Sequence, residues 1–496
     1  MIRRILTVVA VAGVLLGLLA AGGWFILQPP PIAVPRQERL VFADVTVLNP
    51  GLDRRAGQTL TVQDGRIASI AADAPAGRES EATTPFAGAY ALPGLIDMHV
   101  HNVAGEWELF GLLFLMHGVT AVRDTGRFDT TPVAQRQKVL DGAYPGPRFF
   151  ACGPILDGDP PFSPLHWPVG SPAAARKAVD EVAAAGVDCV KVYWSLSTNV
   201  LTAIRHAAQR HDLPVAGHIP FAVPFEAAGL NDVQHLTGVP LHEDDPDASA
   251  AVRLGAWAAS WRDLDATRID FIVQTSVEQQ LVHTPTLFMW AQAARSLDYA
   301  RLLDDPAAQL LPRWYCAVFW RPLDAFLPAY ASLGQALPQM KETVRRLHKA
   351  GVRIHAGSDT PLSFVVPGAS LHGELRLLVE AGLTPEEAWV AAARWAGEFL
   401  GVSELGTLQA DAPADFLLFR EDPTRDLAAL STLEAVVAQG RFYPKSALDE
   451  AFARHRAHFS GWLYDRLTMA MAAVLAWLGS PHSDAQHRVL SGTAEP

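Results

Sequence analysis

Cysteine is scarce in this sequence. The three cysteines, Cys152, Cys189 and Cys316, are scattered among 496 residues, and no two of them form a CxxC pair. Because an odd number of cysteines cannot all pair, we expect no disulfide framework. The spacing also indicates that cysteine is not the ligand type for any metal that the chain binds.

Dense basic runs are also missing. The chain has 40 Lys and Arg against 52 Asp and Glu, which gives a formal net charge of -12. Nucleic-acid binding requires a basic surface that meets the phosphates, so we expect no nucleic-acid partner. Hydrophobic residues make up 50% of the chain, and no internal repeat is visible. This composition predicts a globular protein with a large core, organised as roughly two to four domains or around one barrel.

One long stretch near the N-terminus lacks charge. Residues 5–27, "ILTVVAVAGVLLGLLAAGGWFIL", follow Arg3 and Arg4 and contain no charged side chain. At about 1.5 Å per residue, such a helix spans a hydrocarbon core of about 30 Å. The positive-inside rule then predicts a membrane anchor with the rest of the chain outside the cytoplasm, in the periplasm if the source is Gram-negative. A cleaved signal peptide is the alternative, and in either case residues 1–37 end in a stiff Pro-rich linker.

Two flanking segments show the alternation of apolar and polar residues that is typical of half-buried strands. They are residues 38–92 and 402–446, and together they predict a small β-sandwich domain built from both ends of the chain. Residues 447–496 are predicted to form a C-terminal helical extension. Its apolar tail is interrupted by Asp465 and Arg466, which favours an amphipathic helix that lies on the membrane surface or docks on the main domain.

The middle of the chain, residues 93–401, alternates short apolar runs with helical stretches. The eight runs are "GLIDMHVH", "VTAVRD", "PRFFACGP", "VDCVKVYW", "LPVAGH", "DVQHL", "VHTPTLF" and "VRIHAGSD". This pattern predicts an α/β fold with a (β/α)8 TIM barrel, whose site lies at the carboxyl ends of the strands. The connection between the last two runs is long and rich in Trp and Pro. It forms either a lid over the site or a helical pair on the barrel wall.

Several predicted strands end in a polar side chain. His99 and His101 end the first barrel strand and point the same way, since side chains alternate along a strand. His218, His235 and Asp359 end three later strands. A lone buried histidine is more often a hydrogen-bonded core residue than a ligand, but here the imidazoles and the carboxylate converge on one rim. Such convergence is what a zinc-type site requires.

Lys191 lies inside the apolar run "VDCVKVYW". Burial disfavours an ammonium ion and lowers the pKa of lysine towards the neutral amine. An ammonium next to metal cations would be repelled, whereas an amine that has been converted to an anion would be attracted.

These segments together resemble the amidohydrolase superfamily, in the subgroup with a carboxylated lysine that includes prolidase-like and imidazolonepropionase-like enzymes. The resemblance covers roughly residues 38–446 and rests on "LPGLIDMHVH", "GVTAVRDTG", "DCVKVYW", "AGH", "QHLTG", "HAGSDTP" and "PGASLHGELRLLVEAGLTPEEA". HxH alone is a weak signal, but the ordered set HxH, K, H, H and D with these flanks is specific. The late segment "GTLQADAPADFLLFREDP" resembles the last sandwich strands of the family, with Asp411 where a glycine is usual.

The resemblance implies a binuclear metal centre with six ligands. They are His99, His101, Lys191, His218, His235 and Asp359. The first two histidines and the aspartate would bind one divalent ion, the other two histidines would bind the second, and a CO2-derived carbamate on the lysine would bridge them. Asp359 would also act as the catalytic general base. Imidazole and carboxylate suit zinc, and Mn, Fe or Co fit the same ligands.

Two further residues are candidates for substrate binding. Tyr193 shares a strand face with Lys191, so its hydroxyl could reach a substrate carbonyl oxygen or carboxylate; the alternative is a core tyrosine. His166 lies in the loop after the third strand and is either a substrate contact or an exposed loop residue.

The resemblance implies a metal-dependent hydrolase that cleaves a C–N bond in a small molecule, such as a dipeptide, an N-acyl amino acid or a cyclic amide. A mononuclear deaminase-type hydrolase is one alternative, and Lys191 argues against it because a single metal needs no bridge. A catalytically dead, membrane-anchored binding protein is the other, and the complete ligand set argues against that. The sequence gives no indication of substrate identity or oligomeric state.

Overall fold

The computed structural model describes residues 22–24, 26–35, 37–72, 86–101, 107–321 and 324–478. Its strands, in chain order, are β1 (Arg39–Asn49), β2 (Asp53–Gln63), β3 (Arg66–Ala72), β4 (Tyr90–Pro93), β5 (Leu95–Val100), β6 (Val119–Asp124), β7 (Arg148–Ala151), β8 (Ile155–Asp157), β9 (Trp167–Pro168), β10 (Val190–Val192), β11 (Val215–Gly217), β12 (Asp232–Gln234), β13 (Val282–Thr284), β14 (Arg353–Ile354), β15 (Phe416–Phe419), β16 (Leu433–Ala438) and β17 (Arg441–Pro444). Its α-helices are α1 (Trp107–Met116), α2 (Thr131–Leu140), α3 (Pro172–Ala184), α4 (Thr198–Arg210), α5 (Phe225–Ala228), α6 (Ala250–Ser260), α7 (Ala266–Glu278), α8 (Leu287–Arg295), α9 (Tyr299–Leu302), α10 (Arg313–Tyr315), α11 (Leu327–Lys349), α12 (Ala369–Glu380), α13 (Pro385–Ala391), α14 (Arg394–Phe399), α15 (Lys445–Phe459) and α16 (Trp462–Leu478).

Strands from both flanks of the chain join in one sheet. Its order is β17-β16-β15-β4-β1-β2-β3, so β4 connects the N-terminal strands to the C-terminal ones. The sheet curls around its own core, because Phe42 of β1 lies 5.3 Å from Phe416 and 5.7 Å from Phe442, measured between ring centroids. One continuous sheet therefore takes the place of the two stacked sheets of the predicted sandwich. Asp411, at the turn before β15, adopts φ +64, which is the conformation that a glycine would take most easily.

Eight parallel strands follow one another around a barrel, as the eight apolar runs predict. They are β5, β6, β7, β10, β11, β12, β13 and β14. The barrel closes between its last and first strands, where the Asp359 amide donates to the His99 carbonyl at 2.7 Å and the Met98 amide donates to the Ala356 carbonyl at 3.0 Å. The short strands β8 and β9 are additional, and β8 pairs with β10.

Local sequence signals set the start of several barrel helices. The Ser171 side chain accepts from the Ala174 amide at the start of α3, which Pro172 then begins. Thr384 and Glu387 form a capping box at the start of α13. These contacts satisfy amide groups that the first helical turn leaves without partners. The helices bury their apolar faces against the strands and so hold the strand ends in place.

A disulfide joins Cys152, just after β7, to Cys189, just before β10, with 4.4 Å between their Cα atoms. The expectation of no disulfide was therefore wrong. The odd count excluded only the pairing of all three cysteines, and the adjacency of the third and fourth barrel strands brings these two together. Cys316 is free and buried.

The long connection between β13 and β14 is helical. Its helices α8 and α11 pack against each other and against the barrel. The C-terminal helix α16 docks on this connection, because Trp314 Nε1 donates to the Tyr464 hydroxyl at 3.3 Å and Arg313 pairs with Asp465 at 2.8 Å. Of the two alternatives for the tail, docking on the main domain is therefore observed.

Among the ranges given above, no helix is both long enough and apolar enough to cross a membrane. Residues 1–21 and 25, which make up most of the predicted anchor, lie outside the described residues.

Candidate metal centre

The two histidines of the HxH motif lie at the carboxyl end of β5 and face the same space. Their Nε2 atoms are 3.3 Å apart. His101 Nδ1 lies 2.6 Å from the Gly126 carbonyl oxygen, which fixes the ring so that Nε2 points into the barrel mouth. A backbone carbonyl on the far ring nitrogen is the usual way in which a protein orients a metal-binding histidine.

Asp359 lies between the two groups of histidines. Its Oδ1 is 3.5 Å from His99 Nε2 and 3.2 Å from His101 Nε2, while its Oδ2 is 3.6 Å from His235 Nδ1. Donor atoms of His99, His235 and Asp359 all lie within 4.8 Å of one another. Asp359 adopts φ +60, a backbone conformation that non-glycine residues rarely take and that is often found at functional sites.

His218 and His235 follow β11 and β12 directly, and their ring centroids are 4.6 Å apart. The approach of β11 to β10 requires a glycine before His218, because a Cβ at Gly217 would overlap the Val192 carbonyl. His235 is held by Thr286, whose hydroxyl oxygen lies 2.7 Å from Nδ1.

Three imidazoles of the cluster, those of His99, His218 and His235, are kept neutral, whereas burial of His101 is outweighed by the hydrogen bond to Asp359 and its charge, so that the pKa of His101 is raised. Burial, with the positive charge of Lys191 second, lowers the pKa of His99 and His218 far below the usual range. Burial also lowers the pKa of His235 to about 3. A neutral imidazole has the free lone pair that a metal ligand needs.

Lys191 is fully buried in the middle of β10, and its Nζ donates to Gln234 Oε1. Burial is the main cause that lowers the pKa of this lysine to about 7. Burial alone would raise the pKa of Asp359, but His235 and His101 outweigh it and the net shift is downward. The six residues singled out from the sequence thus lie together at one end of the barrel; their roles as ligands stay predictions.

A cavity of about 330 Å³ opens beside this cluster, and both candidate substrate contacts line it. The Tyr193 ring lies 4.0 Å from the His218 ring and 4.3 Å from the His166 ring, measured between centroids. Burial raises the pKa of the Tyr193 phenol, so the hydroxyl keeps its proton.

Asp157, which holds His166 in place, is a residue of the site that the sequence pattern did not predict. Its Oδ2 lies 2.9 Å from His166 Nδ1 and accepts from the Phe162 amide at 2.7 Å, while its Oδ1 accepts from the Ser195 amide at 2.8 Å. The carboxylate is completely buried. A polar residue at the end of the apolar run "GPILD" was the available signal, but this run is not one of the eight barrel strands.

Asp97, two residues before His99, was also missed. Its carboxylate accepts from the Ser358 hydroxyl at 2.6 Å and from the amides of Ser358 and His99 at 2.9 and 3.2 Å. Asp97 therefore ties the strand end that carries His99 to the segment that carries Asp359. Burial raises the pKa of this carboxyl to about 7.

A parallel barrel with imidazoles and a carboxylate on the carboxyl ends of its strands is the architecture of a metal-dependent hydrolase. Residues 90–442 match the Amidohydrolase family, and the chain belongs to this family. It is accordingly a hydrolase that acts on carbon–nitrogen bonds.

Several solved structures share the fold of this chain. A bottromycin amidohydrolase is 24% identical, with a TM-score of 0.66, over 86% of this chain and 93% of that one. An Xaa-Pro dipeptidase with bound methionine is 18% identical, with a TM-score of 0.61, over 82% of this chain and 100% of that one. The ochratoxinase of A. niger is 17% identical, with a TM-score of 0.57, over 83% and 96%. No curated protein matches the sequence.

Proposed function

We propose that this amidohydrolase cleaves an amide-type C–N bond at a centre of two divalent metal ions. His99 and His101 hold one ion together with Asp359, and His218 and His235 hold the other. The observation that carries the proposal is the convergence of imidazole and carboxylate donors, within 4.8 Å for His99, His235 and Asp359, at the site end of the barrel. The donor set of imidazoles with one carboxylate suits zinc.

Lys191 completes the centre as a carbamate in this proposal. Its neutral amine would form an N–C bond to CO2 and release one proton to water, which would leave an anionic carboxylate-like group on Nζ. Lys191 is completely buried, and its positive charge would lower the pKa of all four histidines of the cluster. This supports the carbamate, because a permanent ammonium there would be uncompensated once cations are bound. The carbamate would instead contribute two oxygen atoms whose shared negative charge attracts the metal cations.

Each residue of the site has a separate role in the proposed reaction. When bound at these residues, divalent ions would supply polarisation of the scissile carbonyl and a water-derived nucleophile at neutral pH. Asp359 accepts the proton of the attacking water and delivers it to the leaving nitrogen. Tyr193, as a neutral phenol, donates a hydrogen bond to the substrate carbonyl oxygen. His166, fixed by Asp157, contacts the substrate beside Tyr193.

Elemental analysis of protein purified without chelator tests this proposal. About two divalent ions per chain would support it. About one ion would favour the mononuclear deaminase-type reaction instead. No ion, together with a failure to load zinc in the presence of bicarbonate, would refute it.

We also propose that the catalytic domain acts outside the cytoplasm, tethered by the apolar N-terminal segment. The Cys152–Cys189 bond supports this, because structural disulfides persist in oxidising compartments. The exposed face of α16 supports a nearby bilayer, since it carries Trp462, which is 72% exposed, and Val474, which is 55% exposed. Protease digestion of intact spheroplasts tests the placement: the domain should be degraded, and its protection would contradict the proposal.

A further inference from the structure

Gln234 is the last residue of β12 and directly precedes the candidate ligand His235. Its side chain is completely buried, and its Oε1 accepts a hydrogen bond from Lys191 Nζ. Among the described residues, this is the one hydrogen bond that the Lys191 side chain makes. The proposed reaction uses Lys191 and His235 but leaves Gln234 without a role.

The barrel directs Gln234 towards Lys191 across one intervening strand. Ala216 of β11 is the register partner of Lys191 on one side and of Asp232 on the other. Register partners share a face of the sheet, and side chains alternate along β12, so Gln234 lies on the same face as Asp232 and Lys191. The small side chain of Ala216 leaves the space that the contact between Gln234 and Lys191 crosses.

Backbone contacts hold Gln234 in this position. Its carbonyl accepts from the hydroxyl and the amide of Thr237, at 2.9 and 3.2 Å, and the same hydroxyl accepts from the Ile219 amide at 2.9 Å. On its other side, Gln234 pairs in register with Thr284 of β13. The carboxamide is therefore presented to Lys191 by a strand end that is fixed on both sides.

The second half of this carboxamide lacks a partner. Gln234 Nε2 is buried and makes no hydrogen bond to any residue that the structure describes. A buried donor without an acceptor is costly, so such a group in a native site calls for an acceptor. The free amine of Lys191 uses only the oxygen of the carboxamide.

A carbamate on Lys191 would supply the acceptor that Nε2 needs. The carbamate keeps one N–H on Nζ, which donates to Oε1 as the amine does. It also has two anionic oxygens, and the oxygen on the same side as this N–H can accept from Nε2. A primary carboxamide is thus complementary to the carbamate at two atoms, and the bond to the anionic oxygen is of the stronger, charge-assisted type.

The neutrality of glutamine also separates the two states of the lysine. A carboxylate at this position would form an ion pair with a Lys191 ammonium and would repel a carbamate. The carboxamide of Gln234 gives the ammonium no counter-charge, and it gives the anion a hydrogen-bond donor. Gln234 does not line the substrate cavity, so it acts through Lys191 rather than on the substrate.

We propose that Gln234 is a positioning residue that selects and holds the Lys191 carbamate, accepting from Nζ and donating from Nε2 to one carbamate oxygen. This rests on the proposed carbamate and assigns the group that stabilises it. In the forward step the lone pair of the amine forms the N–C bond to CO2, one N–H proton goes to water, and the other N–H stays on Nζ for Gln234.

The metal-loaded, full-length enzyme tests this role by 13C NMR with zinc and increasing 13C-labelled bicarbonate. The readout is the bicarbonate concentration that half-saturates the carbamate signal, which Lys191→Ala assigns by losing it. Gln234→Met keeps the length of the side chain and removes both hydrogen bonds, so half-saturation should need at least about ten-fold more bicarbonate. Its zinc content should fall at low bicarbonate and return at high bicarbonate, a rescue that a merely structural defect would not show.

Gln234→Glu is the sharper variant, because it keeps the size of the side chain and the acceptor oxygen. If the contact only held the lysine in place, this variant would behave like the wild type. Recognition of the carbamate predicts instead that the signal is absent at bicarbonate concentrations that saturate the wild type. Should Gln234→Met fold poorly, as judged by its unfolding midpoint, Gln234→Glu decides the question alone.

Gln135→Met is the matched control. Gln135 is also a buried glutamine, 5% exposed, and its Oε1 accepts from the Tyr144 hydroxyl at 2.8 Å. It lies on α2 and does not line the cavity. This variant should show the bicarbonate dependence of the wild type.

The outcomes separate this inference from the proposed function. Unchanged half-saturation in Gln234→Met, or a wild-type signal in Gln234→Glu, would overturn the role of Gln234 and leave the carbamate and the metal centre standing. A wild-type enzyme that holds two zinc ions but shows no carbamate signal would overturn both the carbamate and the role of Gln234.

Discussion

Arg123 and Asp232 form an ion pair across the interior of the barrel, and both side chains are completely buried. Arg123 also donates from Nε to the Met98 carbonyl at 2.8 Å. Met98 precedes His99, and Asp232 lies three residues before His235. The ion pair therefore connects β5 and β12, the strands that carry these candidate ligands. It fixes the distance between the two strands inside the barrel, next to the candidate metal centre.

Replacement of Arg123 by methionine should destabilise the fold strongly. The Asp232 carboxylate would remain buried without its cation, which typically costs about 3–5 kcal/mol. Urea-induced unfolding followed by tryptophan fluorescence measures the change in the free energy of unfolding. Arg420→Met removes an exposed pair with Glu434 and should cost less than about 1 kcal/mol. A similarly small cost for Arg123→Met would show that the Arg123–Asp232 ion pair does not hold the two strands together.

The eight barrel strands were predictable because each run is a short stretch rich in apolar residues, and the candidate ligand positions were predictable because several of these runs carry a histidine or aspartate at their end. That pattern depends only on the neighbours of each residue in sequence. The Cys152–Cys189 bond was not predictable in the same way, since it depends on which strands become adjacent. Asp157 was missed because it lies on an additional strand, outside the eight-run pattern. The apolar residues that α8 and α11 contribute to the cavity could not be predicted either, since helical periodicity does not show which face of a helix meets the cavity.

Lys191→Ala should remove the bridge between the metal ions. We expect the metal content to fall below two ions per chain and turnover to fall by at least about 10²–10³-fold, since the variant lacks a charged group of the reacting centre. Elemental analysis and hydrolysis of N-acetyl-L-phenylalaninamide give the two measurements. Lys177→Ala is the control, because Lys177 is 81% exposed and pairs only with Glu181 on the surface. Wild-type turnover in Lys191→Ala would rule out the carbamate.

Asp157→Asn should disturb the substrate side of the cavity and spare the metals. The asparagine NH2 group would face either the Phe162 amide or the Ser195 amide, and since both are donors, one backbone contact of the carboxylate that positions His166 is lost. A buried donor left without a partner costs about 1–3 kcal/mol. We expect a higher KM, a lower unfolding midpoint and an unchanged metal content.

Asp180→Asn is the matched control for that prediction, because Asp180 makes an exposed contact of 2.7 Å to His211 far from the cavity lining. It should leave KM unchanged. Loss of metal in Asp157→Asn would show that Asp157 supports the ligands rather than the substrate contacts.

Glu374 should make the stability of the fold depend on pH. It is buried on α12 and accepts from the Phe288 amide at 2.7 Å. Burial raises the pKa of this carboxyl to about 8 from its usual value of 4.5. Because the folded state holds the proton more tightly than the unfolded state, the contribution of Glu374 to stability is fully present below about pH 4.5 and is lost as the pH rises towards 8. The contribution of this group changes by at most about 1.4 kcal/mol per pH unit in that window.

Glu374→Gln keeps the shape of the side chain and removes its titration. Thermal unfolding between pH 5 and 9 should therefore show a smaller loss of stability with rising pH in the variant than in the wild type. Glu380→Gln, on the exposed end of the same helix, should follow the wild-type curve. If Glu374→Gln also followed the wild-type curve, the carboxyl of Glu374 would be ionised in the folded protein. Its Oε1 has no hydrogen-bond partner among the described residues, so the ionised oxygen would then need a further hydrogen-bond donor.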